Sequence, residues 1–302
     1  MSAEKIRSNR TTSLWAALAV IGLAWGSTQI FSKIIVNAGH HPIGISFVST
    51  AFGAIVLVII LAVLRRPLPF SRPHLIFYAV CGATGTALPH ALGYTALQEL
   101  QVGIVSIVIA IVPLMTLVGS LFFGLERAQP TRLAGLLLGA IAVMLLVIPD
   151  TSLPDPDLAI WIALPILTSL SYTIENIYIA KAQPAGLDPM QIMCGLFIAA
   201  LVMLIPVVAV TDTWMPVGRW DDVELSLVAM TFAHIGAYSG FVWLIGRAGP
   251  VFAAQVAYIV TLSGVGLGII VFGETHSAWV WLSLVLMLAG LAMVQPRERA
   301  GA

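Results

Sequence analysis

The chain reads twice. A step of 148 positions carries Lys33 onto Lys181 and Glu126 onto Glu274, so each half holds a lysine near the end of its first apolar run and a glutamate just after its fourth. Between Leu14 and Val294 there are ten such runs, five per half: 14–36, 43–64, 75–97, 102–123 and 131–149, then 158–180, 190–210, 224–246, 252–272 and 277–294. Each is near the roughly 20 residues with which a helix crosses the hydrocarbon core of a bilayer. A unit with an odd number of crossings enters from the opposite side on its second pass, so the two halves are expected to be inverted relative to each other, an arrangement that secondary transporters use.

Composition agrees with a membrane setting: 59% of the residues are hydrophobic and 9% charged, against about 25% charged in ordinary soluble domains. Long continuous apolar runs specify helices, because membrane barrel strands are short and alternate. The expected fold is an all-α membrane protein of ten transmembrane helices built from two five-helix inverted repeats. Its divisions are a segment over 1–13, the first repeat over 14–149, the second over 150–294 and a tail over 295–302. The longest connection is 211–223, too short for a soluble catalytic or nucleotide-binding domain. No P-loop spacing occurs, and the run Gly264-Val265-Gly266-Leu267-Gly268 lacks both the spacing and the preceding strand of a dinucleotide fingerprint. Behind Glu4, Lys5, Arg7 and Arg10 the first run is too long for a signal peptide and has no cleavage site, so it is expected to be a retained helix. Cys81 and Cys194 fall inside runs, where a thiol acts as a small hydrophobe.

Every Lys and Arg outside the runs falls on the amino-terminal side of the membrane except Arg219, and cationic loops stay cytoplasmic. Both termini are therefore expected inside, with Asp150, Asp155, Asp157, Asp212, Asp221 and Asp222 outside.

Polar groups at membrane depth are costly and mark sites worth inspecting. Trp25 sits at the centre of the first run, away from the interfacial belts, and is followed by Thr28, Gln29 and Ser32 on one helix face. The third run places Tyr78, Gly82, Thr86 or Pro89, His90 and Tyr94 at spacings of three and four, and its inverted partner carries His234 and Tyr238 one turn apart. Span six adds Tyr172, Glu175 and Asn176; spans four and nine add Pro113, Gln255, Tyr258 and Thr261. A shared cavity for an aromatic ligand is one reading of these residues. Hydrogen bonding between helices, with Tyr78 and Tyr94 as belt residues, is the other. Glu175 is the acidic residue placed well inside a run, and apolar surroundings favour its neutral form. It is a candidate proton carrier with His90, or a structural hydrogen-bond partner.

Lys33 and Glu274 belong to one membrane face, Lys181 and Glu126 to the other. Independent snorkelling of each residue to its interface is the first reading; two gates, Lys33 with Glu274 and Lys181 with Glu126, are the alternative. Gly135 and Gly139, Gly236 and Gly240, and Gly264 and Gly268 form small-xxx-small pairs suited to close helix packing.

The stretch Ala24-Trp25-Gly26-Ser27-Thr28-Gln29-Ile30-Phe31-Ser32-Lys33 resembles the first-helix signature of the drug/metabolite transporter superfamily, EamA type. Ile111-Val112-Pro113 through Gly124-Leu125-Glu126-Arg127 to Gly135 is similar to that family's fourth and fifth helices, and Phe272-Gly273-Glu274 repeats the motif. The second copy departs from the first-helix signature, with Tyr172-Thr173-Ile174-Glu175-Asn176 in its place. Within the superfamily the chain most resembles the YddG-type aromatic amino-acid exporters of bacterial inner membranes. That resemblance implies export of amino acids and related metabolites, by facilitated movement or proton exchange. No enzymatic activity, cofactor, metal or nucleic acid is expected. The expected partners are a small-molecule substrate and the lipid bilayer. Other metabolites or drugs are the alternative cargo, and an intramembrane enzyme or a channel the alternative class.

Overall fold

Prolines at the first helical position, where the missing N–H costs nothing, open four of the helices. They are α2 (Pro42–Val63), α5 (Pro130–Val147), α7 (Pro189–Thr211) and α9 (Pro250–Phe272). The computed structural model describes residues 3–147, 153 and 155–293. The remaining helices are α1 (Ala3–Asn37), α3 (Arg72–Glu99), α4 (Val102–Phe122), α6 (Ala163–Ala182), α8 (Asp222–Ala248) and α10 (Ala278–Ala292). A 3₁₀ turn over Pro156–Ile162 leads into α6. Asp188 and Asp221 start α7 and α8 through capping boxes closed by Gln191 and Glu224. The expected tail over 295–302 lies outside the described residues, as does the junction between the halves at 149 and 150.

Among the described residues no strand occurs, and eight helices are long and apolar enough to cross a membrane. The fifth and tenth runs, expected as full spans, form shorter apolar helices. The 15 residues of α10 rise about 22 Å, less than the ~30 Å hydrocarbon core. These two helices pack against each other, and Gly290 lies so close to α5 that a Cβ there would stand 2.9 Å from the Gly135 carbonyl oxygen. The outward surface is apolar: Val63, Phe122, Val210 and Ile270 are each at least three-quarters exposed.

Helix pairing maps onto itself when the halves are exchanged. Helix α1 packs on α8 and α9, and its counterpart α6 packs on α3 and α4. Pairs α2–α7, α4–α9 and α5–α10 are their own counterparts. The buried side chains divide into two large clusters, one containing Leu97, Leu100 and Val102 at the α3–α4 turn, the other Phe77, Phe197 and Phe252.

Three helices are interrupted, each beside the polar interior. In α3, Pro89 offers no N–H to the Gly85 carbonyl and its ring would clash there. The helix widens instead into a π turn over Ala83–Ala87, with the Leu88 amide bonded to the Ala83 carbonyl. The Thr84 carbonyl accepts a hydrogen bond from Ser171 Oγ of α6 at 2.8 Å. Helix α4 breaks between Ile109 and Val112, just before Pro113, and α9 breaks at Gln255.

Candidate functional site

A cavity of about 120 Å³ lies between the halves, lined by α1, α3, α6 and α8 with contributions from α2, α4, α7 and α9. Since one water needs roughly 10–15 Å³ on this kind of measure, the space suits a small organic molecule. From α1, Trp25, Thr28 and Gln29 line it. His90 and Tyr94 reach it from α3, beyond the π turn. Tyr172, Glu175 and Asn176 enter from α6, and His234 and Tyr238 from α8.

The aromatic residues form a connected cluster. Trp25 Nε1 donates a hydrogen bond to His234 Nδ1 at 3.0 Å, which leaves the His234 proton on Nε2. The His234 ring stacks on Phe197 with centroids 5.8 Å apart and meets the His90 ring edge-on at 5.3 Å. The two histidines, distant in sequence, thus become neighbours. No group of three or more His, Cys, Asp or Glu suited to a metal converges among the described residues. Trp25 also lies 5.1 Å from Phe241 and 6.2 Å from Tyr238 by ring centroids.

Glu175 is almost fully buried and accepts a short hydrogen bond from the Tyr238 hydroxyl. Its carboxyl group rests on the backbone at Gly85, where a Cβ would come within 1.9 Å of Oε1 and 2.4 Å of Oε2. Asn176 Nδ2 donates to Thr116 Oγ1 of α4 at 3.3 Å. Sequence reasoning missed Ser49, Thr50, Thr168, Phe197 and Met230, which also line the cavity. Small hydroxyls and lone apolar groups in uniformly apolar helices carry no signal of which face they occupy.

Seven of the residues singled out for the cavity lie outside the lining: Gly82, Pro113, Gln255 and Thr261, together with Tyr78, Thr86 and Tyr258. Tyr78 precedes the π turn and its ring fills the space above Gly195 of α7. Thr86 is buried within that turn. Tyr258 is buried in the cluster that includes Ile104 and Val105, while its neighbours Ala257 and Val260 face the cavity. The reason for Tyr78 is geometric: a π turn accommodates an extra residue, so spacings of three and four do not hold one face from Tyr78 to Tyr94.

The alternative gate pairs do not form ion pairs among the described residues. Lys33 Nζ donates to the carbonyls of Leu97 and Leu100, the latter at 3.2 Å. Glu274 accepts from the amides of Val102 and Gly103 at 2.7 and 3.0 Å. Both residues thus meet at the α3–α4 turn, but each serves backbone groups that a helix end leaves unpaired. The His276 ring lies alongside, Nε2 3.5 Å from Glu274 Oε2, and burial pushes its imidazole below the ordinary value against the opposing pull of that carboxylate. At the other end Glu126 pairs with Arg132 at 2.8 Å, and Lys181 sits over the Phe123 ring at 4.5 Å.

An internally duplicated helical bundle with a cavity at the junction of its halves defines a class of membrane transport protein. The sequence profile of the EamA-like transporter family matches this chain twice, over residues 11–148 and 159–295, and the chain belongs to that family. It is similar to a protein of Escherichia coli strain K12 named "Uncharacterized inner membrane transporter YedA", 26% identical over 298 residues that cover 96% of this chain and 92% of the relative. The same-named protein of Escherichia coli O157:H7 matches equally. A solved crystal structure shares the fold with a TM-score of 0.64 at 18% identity, covering 93% of this chain and 96% of that one.

Proposed function

We propose that the protein is an inner-membrane secondary transporter that exports small amphipathic metabolites, aromatic amino acids first among them. Two inverted five-helix halves, ten spans with both termini cytoplasmic, would rock about the central cavity. The observation that carries this reading is the lining: rings from α1, α3, α6 and α8 surround a space bounded by both halves. Trp25, Tyr94, Tyr172 and Tyr238 offer faces to a planar apolar body, and Gln29, Asn176, His90 and His234 offer hydrogen bonds to its polar end. Two further points support it: the relative in Escherichia coli is named for an inner-membrane transporter, and the chain carries no nucleotide-binding motif, leaving solute or ion gradients as the driving force. Glu175, with His90 as a second carrier, couples export to proton entry in this reading.

Uptake and efflux of labelled tryptophan, phenylalanine and threonine in proteoliposomes, with and without a pH gradient, tests it. Saturable movement of the aromatic substrates that falls at least tenfold in His90→Ala is expected, and a pH gradient accelerates it if Glu175 carries protons. Movement no faster than in empty liposomes overturns the aromatic assignment.

A further inference from the structure

The charges lining the cavity are one-sided. Among the described residues Glu175 is its single formally charged side chain, and no lysine or arginine lines it. The carboxyl group is held from two directions. Tyr238 of α8 donates its hydroxyl to Oε1, and the side-chain-free backbone of Gly85 lets both oxygens seat against the π turn of α3. No hydrogen bond from the described residues reaches Oε2. In the same cavity the rings of Trp25, Tyr238 and Phe241 form a cluster, with centroids 5.1 Å apart for Trp25–Phe241, 6.2 Å for Trp25–Tyr238 and 6.3 Å for Tyr238–Phe241.

An anion at membrane depth is costly without a compensating charge, and clustered aromatic faces attract a desolvated cation. An ammonium group answers both. It would neutralise the carboxylate, donate to Oε2 and rest on the rings, while a ligand carboxylate would meet no cation and would lie in the same cavity as Glu175. We infer that the cavity reads the amino group of its substrate through Glu175, Tyr238 and the Trp25–Phe241 rings, and that ring-bearing amines without a carboxylate are bound in preference to the parent amino acids. The inference rests on the proposed transport reading but moves its preferred substrates from aromatic amino acids to amphipathic organic cations.

Four indole compounds differing only in the side-chain terminus test it: tryptamine, tryptophan, the neutral alcohol tryptophol and indole-3-propionate. Binding to the purified full-length protein in detergent is read by ligand-induced thermal shift and by competition with labelled tryptamine. Tryptamine is expected to bind at least about tenfold tighter than tryptophan or tryptophol, with indole-3-propionate weakest. Glu175→Gln should erase the advantage of the amine over tryptophol. Tyr238→Phe, which keeps the ring and removes the donor, should reduce the advantage only in part. If tryptophol and indole-3-propionate match tryptamine, or Glu175→Gln leaves the ranking unchanged, amine recognition is overturned while a ring-binding transporter stands. If none of the four binds the wild type, amine recognition and the aromatic transport reading fall together.

Discussion

The two ends of the bundle begin from the same repeat and finish with different chemistry. At the α3–α4 turn, Lys33 supplies positive charge where the carbonyls of α3 end, and Glu274 supplies negative charge where the amides of α4 begin, each matching the local helix dipole. Glu274 comes from the second half and α4 from the first, so this end is tied across the halves. At the α8–α9 turn the position equivalent to Val102 is Pro250, which has no N–H to give. There Glu126 turns to Arg132 of its own half, and a Cβ on Gly249 would still stand 3.6 Å from Glu126 Oε1. Lys181 rests on Phe123 instead of a helix end. The lesson is that pseudo-symmetry fixes where the ionisable groups stand but not whom they bond.

Glu126 and Arg132 are both about 5% exposed at the side chain, so Glu126→Ala should produce the largest loss of stability, about 3 kcal/mol, by removing the carboxylate that balances a buried guanidinium charge. Adding Arg132→Met should recover most of it, read as the unfolding midpoint in detergent. Glu274→Ala removes the acceptor of two amides and should cost about 2 kcal/mol, with no recovery from Lys33→Met. Recovery there would mean that the two residues act as an ion pair after all. A Cβ on Gly103 would meet His276 Nε2 at 2.7 Å and Glu274 Oε2 at 3.2 Å, so Gly103→Ala should cost about 1.5 kcal/mol by crowding, measured the same way. Lys33→Met should cost about 1 kcal/mol through lost carbonyl partners, more than Lys181→Met, and equal losses would erase the contrast. Pro250→Ala, which offers Glu126 an amide, should shift stability by no more than about 0.5 kcal/mol yet slow transport by adding a bond across the halves.

Much of this was legible in the chain. The 148-residue repeat and the helical class follow from apolar periodicity, and Trp25, His90, Glu175 and His234 announced themselves as polar or aromatic groups at depth. Where the reading missed, backbone was the reason. Tyr78 left the cavity because Pro89 forces a π turn that shifts the face of α3. Lys33 and Glu274 were matched to each other because side-chain charges are visible in a sequence, whereas the helix-end carbonyls and amides they serve appear only once α3 and α4 meet. Ser49, Thr50 and Thr168 were missed because position along a helix says little about facing when every face is apolar.

The most direct test of alternation between the two ends is a double electron–electron resonance measurement in proteoliposomes. One pair of spin labels would stand at Glu99 and Thr275, the other at Arg127 and Arg247, all exposed positions, with the native Cys81 and Cys194 buried away from the labelling reagent. Without substrate the first pair should give a short, narrow distance distribution and the second a broader one; saturating substrate should lengthen the first and shorten the second. Unchanged distributions at both ends under conditions of measured transport would contradict the account.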